Sequence, residues 1–550
     1  MKRFLTTIRT SSGQCLSGIL LSAVVCFLLF LYAPLETYIS NIHDFSYDIY
    51  DVIRMMLPLT VVFFAFFTAL LMLLRRISEG AYRFCLTFGF ALFMGIYIQG
   101  TFLSGRIPVL DGSLISWEAY GKERLCSAAL SCTAILAGVL LLRFLPDRKR
   151  EKLIAAVCGG LFLMLLLSIV LLGLNSEADK RKIKIITSGE EMFSLSDDTN
   201  FLILLVDNLE GKMLEEALDN HPQDREALED FTFFRNTVGA YPFTFHAIPQ
   251  LLTGEFFLND ENFYDYVERA FRQSPLFSEL EAQGYRIGVY EAEMTPASEN
   301  SVTQFENVYL AGEKFTFPWN FIKMQLSFSF LKYFPYQLKP FFILTPQNIT
   351  DDSLIEAVSP CEDIFSARNT YLYEKLTKEP ITKSEKNCFR FIHIVGAHAP
   401  FDLDIDLNPI DPEQGSYTDG VECSMTLIKA FLNKLRENGV FDRSVIIIMS
   451  DHGYINRQNP ALLIKGTGEK HGLTISDIPV SYRDLQEIYH ALLEQKTSPD
   501  LFSWKEDETR ERIFIQYELG DDEHMEEMIQ TGHAYSMDTL LPTGQVYVAP

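Results

Sequence analysis

The chain has 550 residues, too many for one ordinary globular core, so we expect at least two domains. It carries 72 acidic and 47 basic residues, and its net charge of −25 argues against nucleic acid as a partner, because a phosphate backbone requires clustered lysine and arginine. The apolar residues are unevenly distributed: residues 1–175 are dense in Leu, Phe, Val, Ile and Ala, whereas the remainder is typical of a soluble, acidic domain.

Residues 1–175 contain five apolar runs that are each long enough for a transmembrane helix, which needs about 20 residues. We interpret the first run as an uncleaved helix rather than a signal peptide, because it is long, lacks a small-x-small cleavage site and is followed by four more runs. The five predicted helices lie near residues 16–35, 55–74, 84–104, 125–145 and 153–174.

The basic residues beside these runs predict their orientation. Lys and Arg are frequent before the first run and in the loops after the second and fourth runs, and they are scarcer in the alternate loops. Because cytoplasmic loops carry the excess of Lys and Arg, we predict a multi-pass plasma-membrane protein with a cytoplasmic N-terminus. A linker at 176–195 then leads to an extracytoplasmic domain at 196–550. The basic residues at 180–184 oppose this orientation, but long domains translocate largely regardless of charge.

Residues 196–550 alternate short apolar runs with amphipathic segments. This pattern predicts an α/β domain with a largely parallel sheet covered by helices on both faces. An aromatic-rich stretch at 293–360 interrupts the alternation, and we expect it to be an insertion. Its mixture of aromatic residues and lysines suits either the bilayer interface or an ordinary excursion of the core.

Three of the predicted strands end in residues that commonly bind metals. FLILLV is followed by Asp207, FRFIHIVGA by His398, and VIIIMS by Asp451 and His452. In open α/β sheets, ligands bind outside the carboxyl ends of the strands. A single aspartate in such a position is often only a helix cap, but three such endings favour a metal site.

Five motifs give the chain a family resemblance: LILLVDN, NTVGAYPFTFHAIPQLLTGE, GAHAPF, IMSDHG and LLIKG, in this order. The chain resembles the alkaline phosphatase and sulfatase superfamily. It is most similar to membrane-anchored lipoteichoic acid synthases, phosphoglycerol transferases and lipid A phosphoethanolamine transferases, which also have five helices before an extracytoplasmic catalytic domain.

The resemblance implies a transferase of the cell envelope that moves phosphoglycerol or phosphoethanolamine from a membrane phospholipid to a cell-surface glycan or lipid. A phospho-threonine intermediate is expected. Two alternatives stay open. The first is a phosphodiesterase or phosphatase that uses water as acceptor, and the second is a catalytically silent protein that binds lipid and regulates a partner.

The resemblance also implies a single divalent metal ion. In the family, an acidic residue after the first strand, the nucleophile and an Asp-His pair hold the ion, which here correspond to Asp207, Thr244, Asp451 and His452. Oxygen ligands with one imidazole suit Mn²⁺ or Zn²⁺. A bound dication lowers the pKa of a coordinated hydroxyl, so Thr244 is the expected nucleophile, with a plain N-cap threonine as the alternative.

Three further residues are candidates for substrate contacts near this site. His398 matches a family histidine that contacts the substrate phosphate or the leaving group. His471 is a candidate for a second such contact, and Lys465 either neutralises phosphate charge or simply ends a strand. We interpret His246, beside the expected nucleophile, as structural.

The sequence departs from the family pattern in three places. Related transferases often have Glu as the first ligand, so Glu210 is an alternative to Asp207. Asn208 follows Asp207 where other members add a carboxylate, which indicates one tightly bound ion rather than two. Classical sulfatases carry a C/S-x-P/A-x-R motif, whereas Thr244 is followed by Phe-His-Ala-Ile, so we do not expect a formylglycine sulfatase.

Overall fold

The computed structural model describes residues 16–42, 45, 47–102, 117–176, 184–292, 302–315, 318–342, 355–358, 361–518 and 521–549. The chain forms two compact units. The first unit consists of residues 1–184 and 313–357, and the second of residues 185–312 and 358–550.

The first unit begins with five long helices. They are Leu16–Ser40 (α1), Ile49–Ile77 (α2), Glu79–Phe102 (α3), Gly121–Arg143 (α4) and Asp147–Leu174 (α5). Within the described residues, these five helices are long and apolar enough to cross a membrane.

Nine further helices follow in the chain. They are Gly211–Asn220 (α6), Asp224–Ala227 (α7), Thr244–Thr253 (α8), Phe263–Gln273 (α9), Pro275–Ala282 (α10), Pro318–Tyr333 (α11), Asn369–Lys378 (α12), Tyr417–Glu437 (α13) and Leu485–Leu493 (α14) among the described residues. All of them except α11 belong to the second unit.

Seven strands form the main sheet. They are Asn200–Val206 (β3), Thr232–Phe234 (β4), Arg286–Tyr290 (β6), Cys388–Ile394 (β10), Ser444–Met449 (β11), Leu462–Lys465 (β12) and Thr474–Ser476 (β13), and their order across the sheet is β13-β4-β12-β11-β3-β10-β6. Strand β12 runs antiparallel to both of its neighbours, and the other described pairings are parallel. The predicted fold class, apolar helices followed by an α/β domain with a mostly parallel sheet, is confirmed.

The remaining strands form small sheets. They are Lys184–Thr187 (β1), Ser194–Ser196 (β2), Thr237–Val238 (β5), Val308–Phe315 (β7), Ile355–Val358 (β8), Thr382–Ser384 (β9), Val480–Ser481 (β14), Arg512–Glu518 (β15), Asp521–Gln530 (β16) and Leu540–Val548 (β17). Their orders are β1-β7-β8, β2-β9, β14-β5 and β15-β16-β17.

The main sheet is buried on both faces. Along β3, Phe201, Ile203 and Leu205 pack with residues of α8, α9, α10 and α14. The alternate residues Leu202, Leu204 and Val206 pack with α6, α12 and α13 on the other face. Because successive side chains of a strand point to opposite faces, a continuous apolar run is what a strand covered on both sides requires.

The structure differs from the expected boundaries at the aromatic-rich insertion. Residues 313–357 group with the N-terminal helices instead of the α/β unit. Within the first unit, Phe321 of α11 makes an edge contact with Tyr47, with ring centroids 4.9 Å apart. Lys332 Nζ lies 2.7 Å from the carboxylate of Glu36. Residues 293–301 of the insertion lie outside the described residues.

Candidate metal centre and active site

Three predicted ligands meet at the carboxyl edge of the main sheet. Asp207 directly follows β3, and Asp451 and His452 follow the neighbouring parallel strand β11. One potential ligand atom from each of the three lies within 4.8 Å of the others, and all three side chains are buried. Parallel neighbours end at the same edge, so the two strand ends bring these residues together without any long loop.

The free atoms of this cluster fit a divalent cation. Asp207 Oδ1 and Asp451 Oδ2 are buried and have no hydrogen-bond partner among the described residues. His452 donates its Nδ1–H to the carbonyl oxygen of Gly453 (2.9 Å), which leaves the Nε2 lone pair available. That Nε2 lies 3.3 Å from Asp451 Oδ2 and 3.8 Å from Asp207 Oδ1. Two unpaired carboxylate oxygens and one imidazole nitrogen suit Mn²⁺ or Zn²⁺.

The surroundings of Asp451 favour the ionised form of its carboxyl group. Burial alone would raise the pKa of its carboxyl group, but nearby His452 and His393, with hydrogen bonds from Thr244 and from the Asn208 N–H, outweigh burial and lower the pKa to about 2. A carboxylate that keeps its negative charge in a buried site is ready to bind a cation.

Thr244 lies beside this cluster at the start of a helix. It is the first residue of α8, and Phe243, with an extended backbone, is the N-cap. The structure therefore does not support the alternative of a plain N-cap threonine. Thr244 Oγ1 lies 3.4 Å from His452 Nε2. The N-terminus of α8 presents unpaired N–H groups and a partial positive charge, which favour an anionic group next to Thr244.

Glu210, the alternative first ligand, uses both carboxylate oxygens in hydrogen bonds to other residues. One of its carboxylate oxygens accepts hydrogen bonds from the N–H groups of Ile455 (2.8 Å) and Asn456 (3.0 Å), and the other accepts from the Asn456 side-chain amide (2.9 Å). Glu210 thus ties the segment after His452 to the end of β3. The structure favours Asp207 over Glu210 as the first candidate ligand.

Lys465 lies at the opposite edge of the sheet. It pairs with Ile446 near the amino end of β11, because β12 runs antiparallel to β11. Its Nζ is fully buried and donates to the carbonyl oxygens of Phe441, Ser444 and Gly466 at 3.0–3.1 Å. The prediction that Lys465 contacts substrate at the metal centre is wrong, and its other interpretation, the end of a strand, is correct.

His471 lies at this opposite edge as well. Its N–H donates to Asp230 (2.9 Å), which precedes β4, and β4 runs in the same direction as β11. Its Nδ1 donates to the carbonyl oxygen of Gly472. The predicted substrate contact of His471 is therefore also wrong, because the residue follows β12 at the end remote from the metal centre.

His398 is on the same edge as the cluster. It follows β10, the other neighbour of β3, and the preceding N–H, of Ala397, donates to the Asp207 carbonyl oxygen (3.0 Å). The His398 Nδ1 donates to the carbonyl oxygen of Ala399 (2.6 Å), and its side chain is half-buried. The predicted contact of His398 with substrate stays a prediction.

His246 is packed away from the metal centre. It is 1% exposed, and its Nδ1 lies 2.6 Å from the Tyr517 hydroxyl. Burial lowers the pKa of His246 to about 3, so its ring is neutral. The structure agrees with the structural interpretation of this histidine.

Two residues that the sequence reasoning missed lie behind Asp207. His393 of β10 donates its Nδ1–H to the Glu291 carboxylate, and its Nε2 lies 3.8 Å from Asp207 Oδ2. Burial would lower the pKa of His393, but Glu291 and Asp207 outweigh it and raise the pKa well above the usual range. A signal was available: Glu291 directly follows the strand RIGVY, as Asp207 follows FLILLV.

Arg457 is a third missed residue. Its Nη1 donates to the carbonyl oxygen of Pro242 (3.1 Å), two residues before Thr244, and its guanidinium carbon lies 4.8 Å from the centroid of the Phe243 ring. A half-buried guanidinium in this position can bind the oxygens of a phosphate group.

Comparison with protein families gives one match. The family model described as Sulfatase matches residues 199–541, which span the α/β unit and include all four predicted metal ligands. No curated protein sequence matches the chain significantly.

Several solved structures are similar to the chain at low sequence identity. The lipoteichoic acid synthase LtaP from Listeria monocytogenes is 13% identical, with 57% of this chain and 76% of that chain covered and a TM-score of 0.32. The phosphonate monoester hydrolase SpPMH from Silicibacter pomeroyi is 12% identical, with 64% and 89% covered and a TM-score of 0.34. A protein of the alkaline phosphatase superfamily from Vibrio parahaemolyticus is 13% identical, with 66% and 81% covered and a TM-score of 0.34.

Proposed function

Because this chain belongs to the Sulfatase family, we propose that it is a metal-dependent phosphotransferase that moves a phospholipid head group, phosphoglycerol or phosphoethanolamine, to a cell-surface glycan or lipid. The family assignment makes it an enzyme of the alkaline phosphatase superfamily, whose members are metal-dependent. The donor, the acceptor and the transfer step are the proposed part.

One observation carries the proposal: a threonine hydroxyl lies 3.4 Å from the imidazole of an acidic cluster that fits a cation, in a chain with five candidate membrane spans. The hydroxyl is at a helix N-terminus, where an anionic phosphate is favoured. The membrane helices keep the enzyme at the lipid surface, which contains phosphodiester donors.

The residues of the site account for the first half of the reaction. Asp207, Asp451 and His452, with Thr244, would hold a dication, which would make the threonine hydroxyl more acidic and neutralise phosphate charge. Thr244 loses its proton to solvent, and its Oγ1 forms a bond to phosphorus while the phosphorus–oxygen bond to diacylglycerol breaks. We assign to His398 the proton that the departing oxygen takes up. The head group is then attached to Thr244.

The second half reverses this attack with a different oxygen. A hydroxyl of the acceptor forms a bond to phosphorus, the bond to Thr244 Oγ1 breaks, and the threonine takes up a proton. Arg457, beside the turn that carries Thr244, is the proposed contact for a phosphate oxygen in both halves. Threonine in place of the Cys or Ser of classical sulfatases argues against sulfate-ester hydrolysis through formylglycine.

We further propose that the N-terminus is cytoplasmic and that the α/β unit is outside the plasma membrane. The distribution of Lys and Arg among the loops of residues 1–175 supports this orientation. The orientation fits the chemistry, because a lipid donor replaces the nucleotide donors that only the cytoplasm supplies.

The test uses the full-length protein in vesicles that contain phosphatidylglycerol or phosphatidylethanolamine with a labelled head group, in the presence of Mn²⁺ or Zn²⁺. We expect mass spectrometry to find the head group on the Thr244 peptide, and we expect no such adduct on Thr244→Ala. Thr253, at the other end of the same helix, provides the control variant Thr253→Ser, which should label normally.

The products separate the alternatives. Release of the head group at the same rate with and without an envelope glycan would favour the phosphodiesterase. Failure of the metal-containing protein to form any adduct or release diacylglycerol would contradict both enzymatic proposals and favour a silent lipid-binding protein.

A further inference from the structure

Four neighbouring strands of the main sheet each contribute a buried polar side chain at the same edge. The strand order β6-β10-β3-β11 places Glu291, His393, Asp207 and the pair Asp451–His452 side by side. The register supports this arrangement, since Ile392 pairs with Tyr290 and the next residues on the two strands are His393 and Glu291. The candidate metal centre therefore occupies only one end of a longer polar row.

Asp207 is the middle of this row, and its two oxygens face two different histidines. Oδ1 lies 3.8 Å from Nε2 of His452, on the side of the metal centre. Oδ2 lies 3.8 Å from Nε2 of His393, on the other side. His393 is in turn held by the Glu291 carboxylate, which accepts its Nδ1–H. The orientation of the Asp207 carboxylate thus depends on a pair of residues that do not reach the metal centre.

The pair is deeply buried. Glu291 is 4% exposed and His393 is 6% exposed, and Nε2 of His393 has no hydrogen-bond partner among the described residues. Burying a carboxylate and an imidazole costs free energy, and such pairs are seldom a net source of stability. Because burying Glu291 and His393 costs free energy, and because the unpartnered Nε2 of His393 faces Asp207, we infer that the pair has a function at Asp207.

We propose that Glu291 and His393 are positioning residues that fix the Asp207 carboxylate, through its Oδ2, in the orientation in which its Oδ1 completes the metal centre. A carboxylate that orients an imidazole beside a metal site is a frequent arrangement, and loss of such a supporting residue typically lowers metal affinity about 10- to 100-fold. Here the support acts on a carboxylate ligand rather than on a histidine ligand.

The same geometry offers a competing interpretation, in which His393 and Asp207 Oδ2 bind a second cation. Positioning is favoured because the gap between His393 Nε2 and Asp207 Oδ2 brings together two ligand atoms, whereas protein sites for Mn²⁺ or Zn²⁺ usually supply three or four ligands. Ligand atoms of His393 also lie outside the group formed by Asp207, Asp451 and His452. The inference rests on the proposed metal centre, but not on the identity of the donor or acceptor.

Two substitutions of His393 separate the contacts it makes. His393→Asn retains an amide near the position of Nδ1, toward Glu291, and removes the group that faces Asp207. His393→Gln places an amide nitrogen near the position of Nε2, toward Asp207. Glu291→Gln keeps an acceptor for Nδ1–H but removes the charge. The matched control is His490→Asn, because His490 also pairs with a glutamate, Glu279 (3.0 Å), on the exposed surface.

The measurement is Mn²⁺ binding to the full-length protein in detergent, followed by the electron paramagnetic resonance signal of free Mn²⁺, with Tm as the check of folding. We expect one ion per chain in the wild type. We expect His393→Asn to weaken binding about 10- to 100-fold, His393→Gln and Glu291→Gln to weaken it less, and His490→Asn to leave it unchanged.

Each other outcome overturns the inference in a recognisable way. Equal affinity in wild type and all folded variants would show that Asp207 needs no support, and would leave the proposed function intact. Two ions in the wild type and one in His393→Asn would make His393 a ligand. No Mn²⁺ or Zn²⁺ binding by the wild type would remove the metal centre and the proposed function together. If His393→Asn does not fold, the affinities of His393→Gln and Glu291→Gln decide.

Discussion

Two basic residues, His246 and Arg457, lie near Thr244, but their surroundings differ. His246 is on the same helix, two residues later, but it is buried against Tyr517 and neutral. Arg457 comes from the segment after His452 and contacts the backbone of the turn before Thr244. Proximity in sequence to the proposed nucleophile is therefore a poor guide to function here, because residues two apart on a helix lie on different faces.

The first prediction concerns Arg457. Arg457→Ala should lower kcat/KM about 10- to 100-fold, because a charge-assisted hydrogen bond contributes about 1.5–3 kcal/mol and 1.4 kcal/mol is about tenfold. Arg457→Lys should recover part of the loss. The matched control is Arg436→Ala: Arg436 also stacks on a phenylalanine, Phe441, and donates to a backbone carbonyl, but at the opposite edge of the sheet. Equal kcat/KM for the Arg457 and Arg436 variants would contradict the assignment.

The second prediction is a pH dependence of stability caused by His246. Its pKa is about 3 in the folded protein, below the usual 6.5, so the unfolded chain takes up a proton between these values and the folded state does not. Stability is fully present above pH 6.5 and falls as the pH drops toward 3. Between pH 7.5 and pH 5 the loss is about 2 kcal/mol, since one pKa unit corresponds to about 1.4 kcal/mol.

The comparison is between the wild type and His246→Asn, which retains a group near Nδ1 but does not titrate. Chemical unfolding of both proteins at the two pH values should show the stability difference between them shrinking by about 2 kcal/mol at pH 5. Parallel pH profiles would show that His246 does not titrate as its burial requires.

At the scale of elements, the turn between β11 and β12 organises the site. Directly after the candidate ligands Asp451 and His452, the chain reverses and returns as the antiparallel strand β12. Glu210 accepts three hydrogen bonds from this turn and thereby joins it to the end of β3. The turn, two strand ends and the start of α8 together hold the candidate ligands.

The third prediction concerns the hydrogen bonds between Glu210 and this turn. Glu210→Ala leaves three donors of the turn without their acceptor, and each unsatisfied buried group costs about 1–3 kcal/mol. We expect a clear drop in Tm together with weaker Mn²⁺ binding, and a smaller drop for Glu210→Gln, which keeps one carbonyl oxygen. Glu216→Ala, at an exposed position of α6, is the control and should change neither quantity. Unchanged Mn²⁺ affinity in Glu210→Ala would show that the candidate ligands keep their positions without the hydrogen bonds to Glu210.

The direction of β12 also explains what could be predicted from sequence and what could not. Apolar runs located the strands, and the residues after them located Asp207, Asp451 and His452, because parallel strands share one edge. An apolar run carries no information about its direction, so the motif LLIKG placed Lys465 and His471 at the wrong edge. His393 was missed because it lies inside a strand, and only the register with Glu291 reveals its role.

At the scale of the whole molecule, five candidate membrane helices and an enzyme unit are parts of one chain. The number and location of the five apolar helices followed from composition and length, since an apolar helix of about 20 residues has few other uses. The grouping of residues 313–357 with these helices did not follow, because a short aromatic helix carries no signal that distinguishes a core from a membrane surface.

The fourth prediction is the orientation in the membrane. In a variant without its nine native cysteines, Asp507→Cys should react with a membrane-impermeant maleimide in intact cells. Arg148→Cys, in the first turn of α5, should react only after permeabilisation, because basic residues cluster at this end of the helix. Both positions are exposed, so exposure itself does not separate them. The reverse labelling pattern would invert the proposed orientation.

The path of the chain limits how such a protein can be recombined. The backbone passes from one unit to the other after residues 184, 312 and 357, and α11 buries Phe321 and Met324 among the N-terminal helices. A single genetic crossover near residue 185 would take the N-terminal helices from one protein and everything after them, including α11, from another. This α11 would then have to pack against N-terminal helices from a different protein. An exchange of the enzyme unit alone requires three junctions, so we expect the two units to be inherited together and to change in step.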